Sequence, residues 1–223
     1  MAHPIVKLVR PKHWMKNVLV FFPCVFSGGI FDLSAFPKAL GAFGAMCLMS
    51  SAVYVVNDLF DLPDDRRHPA KAKRPIASGA VSVRAACVVL FLFASVSLAL
   101  GFLVAGTSVS ALLLAYLLVN VLYSWKLKAL PIVDVGCIAF GFVLRVACGA
   151  AAVSVPVSPW LFLTIVSFSL YFALGKRKGE LVGVGSVGRA SLRARGGVYR
   201  ILPRKEHSGI SCLRLGFLFS LGG

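Results

Sequence analysis

The sequence predicts an all-α integral membrane protein, a bundle of about six transmembrane helices with a cytoplasmic N-terminus. Three observations lead there. Of the 223 residues, 58% are hydrophobic, with a mean hydropathy of +0.86, where soluble domains sit nearer about 45–50% apolar. Apolar runs of about 18 residues or more recur along the chain, the length a helix needs to cross a bilayer. The basic residues fall in short segments between those runs, as orientation by the positive-inside rule and contact with anionic headgroups require. The formal net charge of +16 therefore points to membrane lipid and to an anionic, phosphate-bearing substrate. No nucleic-acid-binding motif accompanies it, so nucleic acid is not an expected partner.

Residues 1–16 are basic and are expected at the cytoplasmic interface, with Trp14 as an interfacial anchor. No small-residue cleavage site follows, so a cleaved signal peptide is not expected. The first span is roughly 17–33, short and interrupted by Pro23, Gly28 and Gly29, breaks that neighbours can re-satisfy at membrane depth. The second is roughly 38–58, and its Gly41, Gly44, Ala45, Ser50, Ser51 and Ala52 allow helices to approach closely. Residues 59–84 read as a polar loop of about 25 residues, a length that is usually functional. The third span is about 85–105, Gly106 and Thr107 make a tight outer turn, and the fourth span is about 108–124. The fifth is about 131–153, with Asp134 near its start and Arg145 inside, and the sixth, about 160–175, stops at Lys176, Arg177 and Lys178. On this reading the outer turns hold only Lys38, which places both ends of the six-span block on the inside. Residues 182–223 turn basic and Gly/Arg-rich and are set apart as a disordered or aberrant tail. Trp125, Trp160 and Tyr171 need only the aromatic-belt explanation.

The six cysteines form no CxxC pair, and five lie in apolar runs. They read as small buried hydrophobes rather than a disulfide frame or a zinc site.

Chemistry concentrates at the end of the second span. Half of the eight acidic residues fall between Asn57 and Pro69, directly after an apolar run. The pattern is N-D-x-x-D-x-x-x-D: Asn57, Asp58, Asp61, Asp65. Carboxylates at the end of a membrane span are costly unless they hold something. Helical spacing of three and four lets the three share one face, although Pro63 between them interrupts a continuous helix. Such a face offers hard oxygen ligands suited to Mg²⁺ that also binds a substrate's phosphates. Arg66, Lys71 and Arg74 follow at once and can hold phosphate oxygens. The bland reading is a solvated helix end. A second cluster comprises Tyr123, Lys128 and Asp134 at the inner ends of spans four and five. Lys128 alone is an ordinary positive-inside anchor, whereas an acidic Asp134 facing lipid would be expensive. Arg145, inside a span, is expected to need an anionic partner, either a protein carboxylate or a substrate phosphate. Lys176 and its neighbours read first as an interfacial stop and second as a further phosphate-binding edge.

These stretches resemble the UbiA superfamily of intramembrane prenyltransferases, and within it the phosphoribosyl-transferring branch. The likeness is carried by residues 10–17 (RPKHWMKN), the Asn57 to Arg66 motif, His68 to Lys71, and RPIASG at 74–79. It continues through YSWKLK at 123–128, Asp134, GFVLR at 141–145, and Gly175 to Arg177 with Glu180. It covers about residues 8–181 and adds Lys16 to the substrate-binding candidates. The resemblance implies a bundle of about nine transmembrane helices around a cavity open to the cytoplasm, a statement of analogy. It also implies an Mg²⁺-dependent, multi-pass enzyme of the inner (cytoplasmic) membrane. The reaction implied is transfer of a 5-phosphoribosyl group from phosphoribosyl pyrophosphate to polyprenyl phosphate, for cell-envelope polysaccharide precursors. Two alternatives stand beside it: prenyl transfer to an aromatic acceptor, and a non-catalytic remnant. The family's last helices find no match after about residue 182, the pattern expected of a truncated or frameshifted gene.

Overall fold

The structure, a computed structural model, describes residues 3–67, 71–125, 131–172 and 174–175, and the side chains of all of these but residues 30 and 131–135. Among the described residues the regular elements are all helical. A short helix α1 (Pro4–Val9) leads into a 3-10 helix (Pro11–Phe21) and α2 (Phe22–Phe26). Then come α3 (Ala35–Phe60), α4 (Leu62–Arg67), a one-turn 3-10 helix (Lys71–Lys73), α5 (Val83–Trp125), α6 (Pro131–Val153) and α7 (Pro159–Phe172). Three of these, α3, α5 and residues 136–153 of α6, are long and apolar enough to cross a membrane.

The helix α3 is the axis of the bundle. It packs against α5, α6, the N-terminal 3-10 helix and α1. Its small side chains explain why one helix can serve so many neighbours: Ala39, Ala42, Ala45, Ser50, Ser51 and Ala52 are buried along it and hold backbones close. Around Ala42, Met46, Met49 and Val53 gather Val20, Leu113, Tyr116, Leu144 and Cys148 to form the main core.

The helix α5 is two arms. Ala105 (φ −149°) and Gly106 (φ +67°) break it, and a positive φ is a conformation glycine adopts without penalty. The arms fold back on each other: Ser110 Oγ donates to the Leu98 carbonyl at 3.1 Å. Ser97 Oγ donates to the Ala45 carbonyl at 2.6 Å and ties the first arm to α3. This is the turn expected at Gly106 and Thr107. The outward faces stay apolar and open, as at Phe91 (70% exposed), Leu103 (81%) and Trp160 (79%), the surface a lipid environment covers.

A second, smaller apolar cluster decides where the polar chemistry sits. Leu8 from α1, Val55 from α3, Ile76 and Val81 from the segment before α5, and Ala86 of α5 pack together. Leu8 lies two residues before Arg10 and Ile76 two after Arg74. The cluster thus pins both arginines to the same end of α3.

Residues 3–16 pack against the bundle, with Leu8 fully buried, and Trp14 Nε1 donates to Ser51 Oγ at 3.0 Å. Two expectations are corrected. Residues 17–33 form no single helix. A 3-10 helix gives way to the five-residue α2 at Phe22, with Pro23 in its first turn, and a further 3-10 turn follows at Gly29–Phe31. The 59–84 segment carries α4 and a one-turn 3-10 helix, because Asp65, Ile76 and Val81 are drawn into the interior.

Where α6 crosses the N-terminal 3-10 helix, a Cβ on Gly149 would collide with the Val20 carbonyl, whereas one on Gly136 meets nothing within 4 Å. Gly149→Ala should therefore lower unfolding free energy by about 1–3 kcal/mol, the usual cost of overpacking. Gly136→Ala should be neutral or raise it by up to about 1 kcal/mol. Thermal unfolding of the two variants in detergent checks the contrast.

Candidate functional site

The site begins where α3 ends. Asp61 caps the helix, donating its N–H to the Asn57 carbonyl at 2.9 Å. Its own carbonyl accepts the N–H groups of Asp64 (3.0 Å) and Asp65 (2.8 Å), which starts α4 in a new direction. Pro63 falls in the first turn of α4, where a missing N–H has no helical acceptor to lose. The three carboxylates do not lie on one continuous helix. They converge because the chain turns at Asp61.

Arg74 holds them. Its Nη1 stands 2.6 Å from Asp65 Oδ2, 3.3 Å from Asp58 Oδ1 and 3.8 Å from Asp61 Oδ2. Arg10 Nη2 lies 2.7 Å from Asp58 Oδ1, and its guanidinium stacks over the Tyr54 ring at 5.3 Å. Arg10 adopts φ +53° at the end of α1, a left-handed conformation that non-glycine residues rarely hold without tertiary support. Asp58 and Asp65 are each only 2% exposed. Buried carboxylates require charge-assisted partners, and two guanidiniums against three carboxylates leave the group one positive charge short of neutrality. One atom stays unserved: Asp58 Oδ2 is buried with no hydrogen-bond donor.

The carboxylates open onto a cavity of about 150 Å³, lined by Arg10, Tyr54, Asn57, Asp58, Asp61, Arg74, Tyr123 and Ser124. Ser124 Oγ donates to Asn57 Oδ1, joining α5 to α3 across it. His13 packs on Tyr54 with ring centroids 5.1 Å apart. Burial, with Lys16 and Arg10 nearby, lowers its pKa below the ordinary histidine value, so it adds no positive charge at neutral pH.

Of the residues singled out from sequence, Asn57, Asp58, Asp61, Arg74 and Tyr123 line the cavity, and Asp65 sits against it through Arg74. Arg66, Lys71 and Lys16 are exposed and outside the lining. Lys128, Lys176 and the side chain of Asp134 lie outside the described residues. Arg10, Tyr54 and Ser124 were not among the candidates. Arg10 counts in sequence as one more inside-positive charge, and Tyr54 and Ser124 as span residues. The one available signal was Arg10 standing immediately before Pro11 in the RPKHW stretch.

Arg145 stands apart from the cavity. It is 7% exposed in the bundle core, and its partners are neutral: Asn17 Oδ1 (2.8 Å), the Gly141 carbonyl (2.7 Å) and Tyr116 Oη (2.8 Å). The rings of Tyr116 and Phe142 face the guanidinium at 4.9 and 5.7 Å. A delocalised, weakly hydrated cation tolerates this solvation by dipoles and π-faces. Asn17 also donates to Ser50 Oγ at 3.0 Å and Cys47 Sγ at 3.3 Å, making it the hub of the network. No disulfide joins the described cysteines, and Cys24, Cys47 and Cys148 are buried, while Cys212 lies outside the described residues.

Among the described residues, no group of three His, Cys, Asp or Glu side chains is spaced to hold a metal ion as it stands, and Arg74 Nη1 stands among the three acids. The donor set nevertheless suits a hard cation: carboxylate oxygens, one of them without a donor, beside an amide oxygen.

Residues 19–178 match the model of the UbiA prenyltransferase family. Decaprenyl-phosphate phosphoribosyltransferase of Corynebacterium glutamicum is 34% identical over 185 residues, covering 82% of this chain and 56% of that protein. The enzyme of that name from Mycobacterium tuberculosis is 34% identical over 181 residues, covering 79% and 60%. The chain thus spans less than two thirds of the length of these relatives. Among solved structures, a UbiA homolog from Archaeoglobus fulgidus bound to GPP and Mg²⁺ superposes with a TM-score of 0.67 at 22% identity, covering 83% of this chain and 66% of that one.

Removing the hub of the Arg145 network isolates its worth. Asn17→Ala strips Arg145 Nε of its acceptor and Ser50 and Cys47 of a donor, and should destabilise the fold by about 2–3 kcal/mol, the scale for orphaning a buried charged group. Thermal unfolding of the purified variant in detergent is the measurement.

Proposed function

The chain belongs to the UbiA prenyltransferase family, and from that premise we propose that it transfers a 5-phosphoribosyl group from phosphoribosyl pyrophosphate to a polyprenyl phosphate. The observation that carries the reading is the convergence of Asp58, Asp61 and Asp65 with Arg10 and Arg74 at one cavity at the end of a membrane helix. Support for the phosphoribosyl branch comes from the names of the 34%-identical relatives.

Asp58, Asp61 and Asp65 would hold Mg²⁺, with Asp58 Oδ2 as the oxygen still lacking a donor. The bound ion would supply charge neutralisation to a leaving diphosphate. The chain's own residues do the rest. Arg10 and Arg74, at the cavity wall, bind donor phosphate oxygens, for which a planar guanidinium fork is suited. Arg66 and Lys71, both exposed, add positive charge that draws anionic substrates toward this end of the molecule. Tyr123, Ser124 and Asn57 shape the wall opposite the acids and orient the ribose. The apolar outer faces of the helices let a prenyl chain lie in the bilayer while its phosphate reaches the cavity. Fixing donor and acceptor together, with fixed charges around them, is the catalytic contribution of such a site. Residues 1–181 form the transferase unit in this reading, and the cavity opens on the cytoplasmic side of the inner membrane, in keeping with the basic inner segments. Lys128 and Lys176 remain candidates for the lipid phosphate or the donor's 5-phosphate, Asp134 remains a further substrate-binding candidate by resemblance, and 182–223 a separate basic tail.

The test supplies membranes carrying the full chain with radiolabelled phosphoribosyl pyrophosphate and polyprenyl phosphate. Label should enter the lipid fraction, and Asp58→Asn or Asp61→Asn should reduce the rate about 100-fold or more, the scale of losing a fixed charge-stabilising group. Undiminished transfer in both variants would remove the carboxylates from the mechanism. Consumption of a polyprenyl diphosphate and an aromatic acceptor instead would assign the sibling prenyl-transfer reaction.

A further inference from the structure

One guanidinium nitrogen, Arg74 Nη1, meets three carboxylates from the end of α3 and from α4, at 2.6, 3.3 and 3.8 Å. A divalent ion such as Mg²⁺ held by the same oxygens would compete with this nitrogen for them. The two cations cannot share those oxygens. Building on the metal–diphosphate reading above, we propose that Arg74 is a resident counter-cation: it neutralises the acids until a metal–diphosphate complex displaces it, and then turns to hold the diphosphate.

Three observations support an exchange at Arg74 in particular. Its backbone is fixed on both sides, with its N–H on the Lys71 carbonyl and its carbonyl accepting from Ser78, both at 2.9 Å, and Ile76 is buried two residues on. The exchange therefore needs only side-chain rotation. The side chain is 27% exposed, so it has an outlet toward solvent. Arg10 differs: it holds one carboxylate and is seated over the Tyr54 ring, so it stays as the fixed partner of Asp58. The donorless, buried Asp58 Oδ2 points independently to a cation, being an acceptor that neither arginine serves. It gives an arriving ion a first oxygen before Arg74 has moved.

The exchange has a thermodynamic consequence. Metal alone must send the guanidinium from three carboxylates into water with no anion gained. Metal with diphosphate gives it a new anionic partner. The site should thus take its metal together with diphosphate rather than before it, which protects the carboxylates from idle metal occupancy.

The experiment uses the full chain in lipid nanodiscs. Mn²⁺ binding without diphosphate is read from the free-ion spin-resonance signal, and retention of radiolabelled inorganic diphosphate is read in the presence of Mn²⁺. Arg74→Gln should bind Mn²⁺ alone about tenfold or more tighter than the unmodified chain, the scale for removing an adjacent like charge. The same variant should retain Mn²⁺–diphosphate about tenfold or more weakly, having lost a charge-assisted contact. Opposite signs are the signature, because a purely structural loss weakens both. Arg74→Lys keeps a charge among the acids but loses the fork, and should show both shifts at smaller size. It decides by the same criterion if Arg74→Gln does not fold. Mn²⁺ binding no tighter than in the unmodified chain overturns the exchange. Mn²⁺ binding with no diphosphate retention in any of the three proteins overturns the diphosphate reading, and the exchange with it.

Discussion

The burial of Asp58 and Asp65 is the constraint from which the rest of this end of the molecule follows. Each is 2% exposed at or just beyond the end of an apolar helix. Ionised carboxylates in such a place are tolerable only with cationic, hydrogen-bonded partners. Arg74 and Arg10 supply them, Arg74 from the segment that follows α4 and Arg10 from 48 residues before Asp58. The fold must therefore bring a short N-terminal helix and the segment before α5 to one point and hold them there.

An apolar cluster does that holding. Leu8, Val55, Ile76, Val81 and Ala86 bury together beneath the polar group. Leu8 and Ile76, two residues from Arg10 and Arg74, convert non-directional burial into placement of two guanidiniums. Burying a side chain of this size contributes about 1.5–3 kcal/mol, which is on the scale needed to offset fixing two long side chains. Arg10's left-handed backbone is the local strain this arrangement carries.

Within the same bundle, Arg145 shows a different way to bury a charge. It is surrounded by an amide oxygen, a carbonyl, a phenol and two ring faces. Those partners accept from all three guanidinium nitrogens, so none is left unserved. The carboxylate group is open instead, with a donorless oxygen and a cavity beside it. Closed networks hold helices together, whereas open ones have chemistry left to do. This contrast, rather than the presence of charge, separates the structural site from the candidate functional one.

Periodicity and composition alone determined much. Long apolar runs specify helices with lipid-facing sides, because no other element satisfies its backbone in a bilayer. Gly106 marked the turn within α5, and the spacing of Asp58, Asp61 and Asp65 marked the place where polar chemistry gathers. The tertiary structure alone decided which cations meet those acids. Charge in a sequence has no address: Arg10, Arg66, Lys71 and Arg74 look alike as inner-side positive residues, yet Arg10 and Arg74 reach the carboxylates while Arg66 and Lys71 stay exposed. What separates them is neighbouring apolar side chains buried across long sequence distances. Arg145 makes the same point in reverse, since its neutral partners Asn17 and Tyr116, from two other parts of the chain, could not be read from its own span. Local pattern sets the elements, and long-range burial sets which side chains share a site.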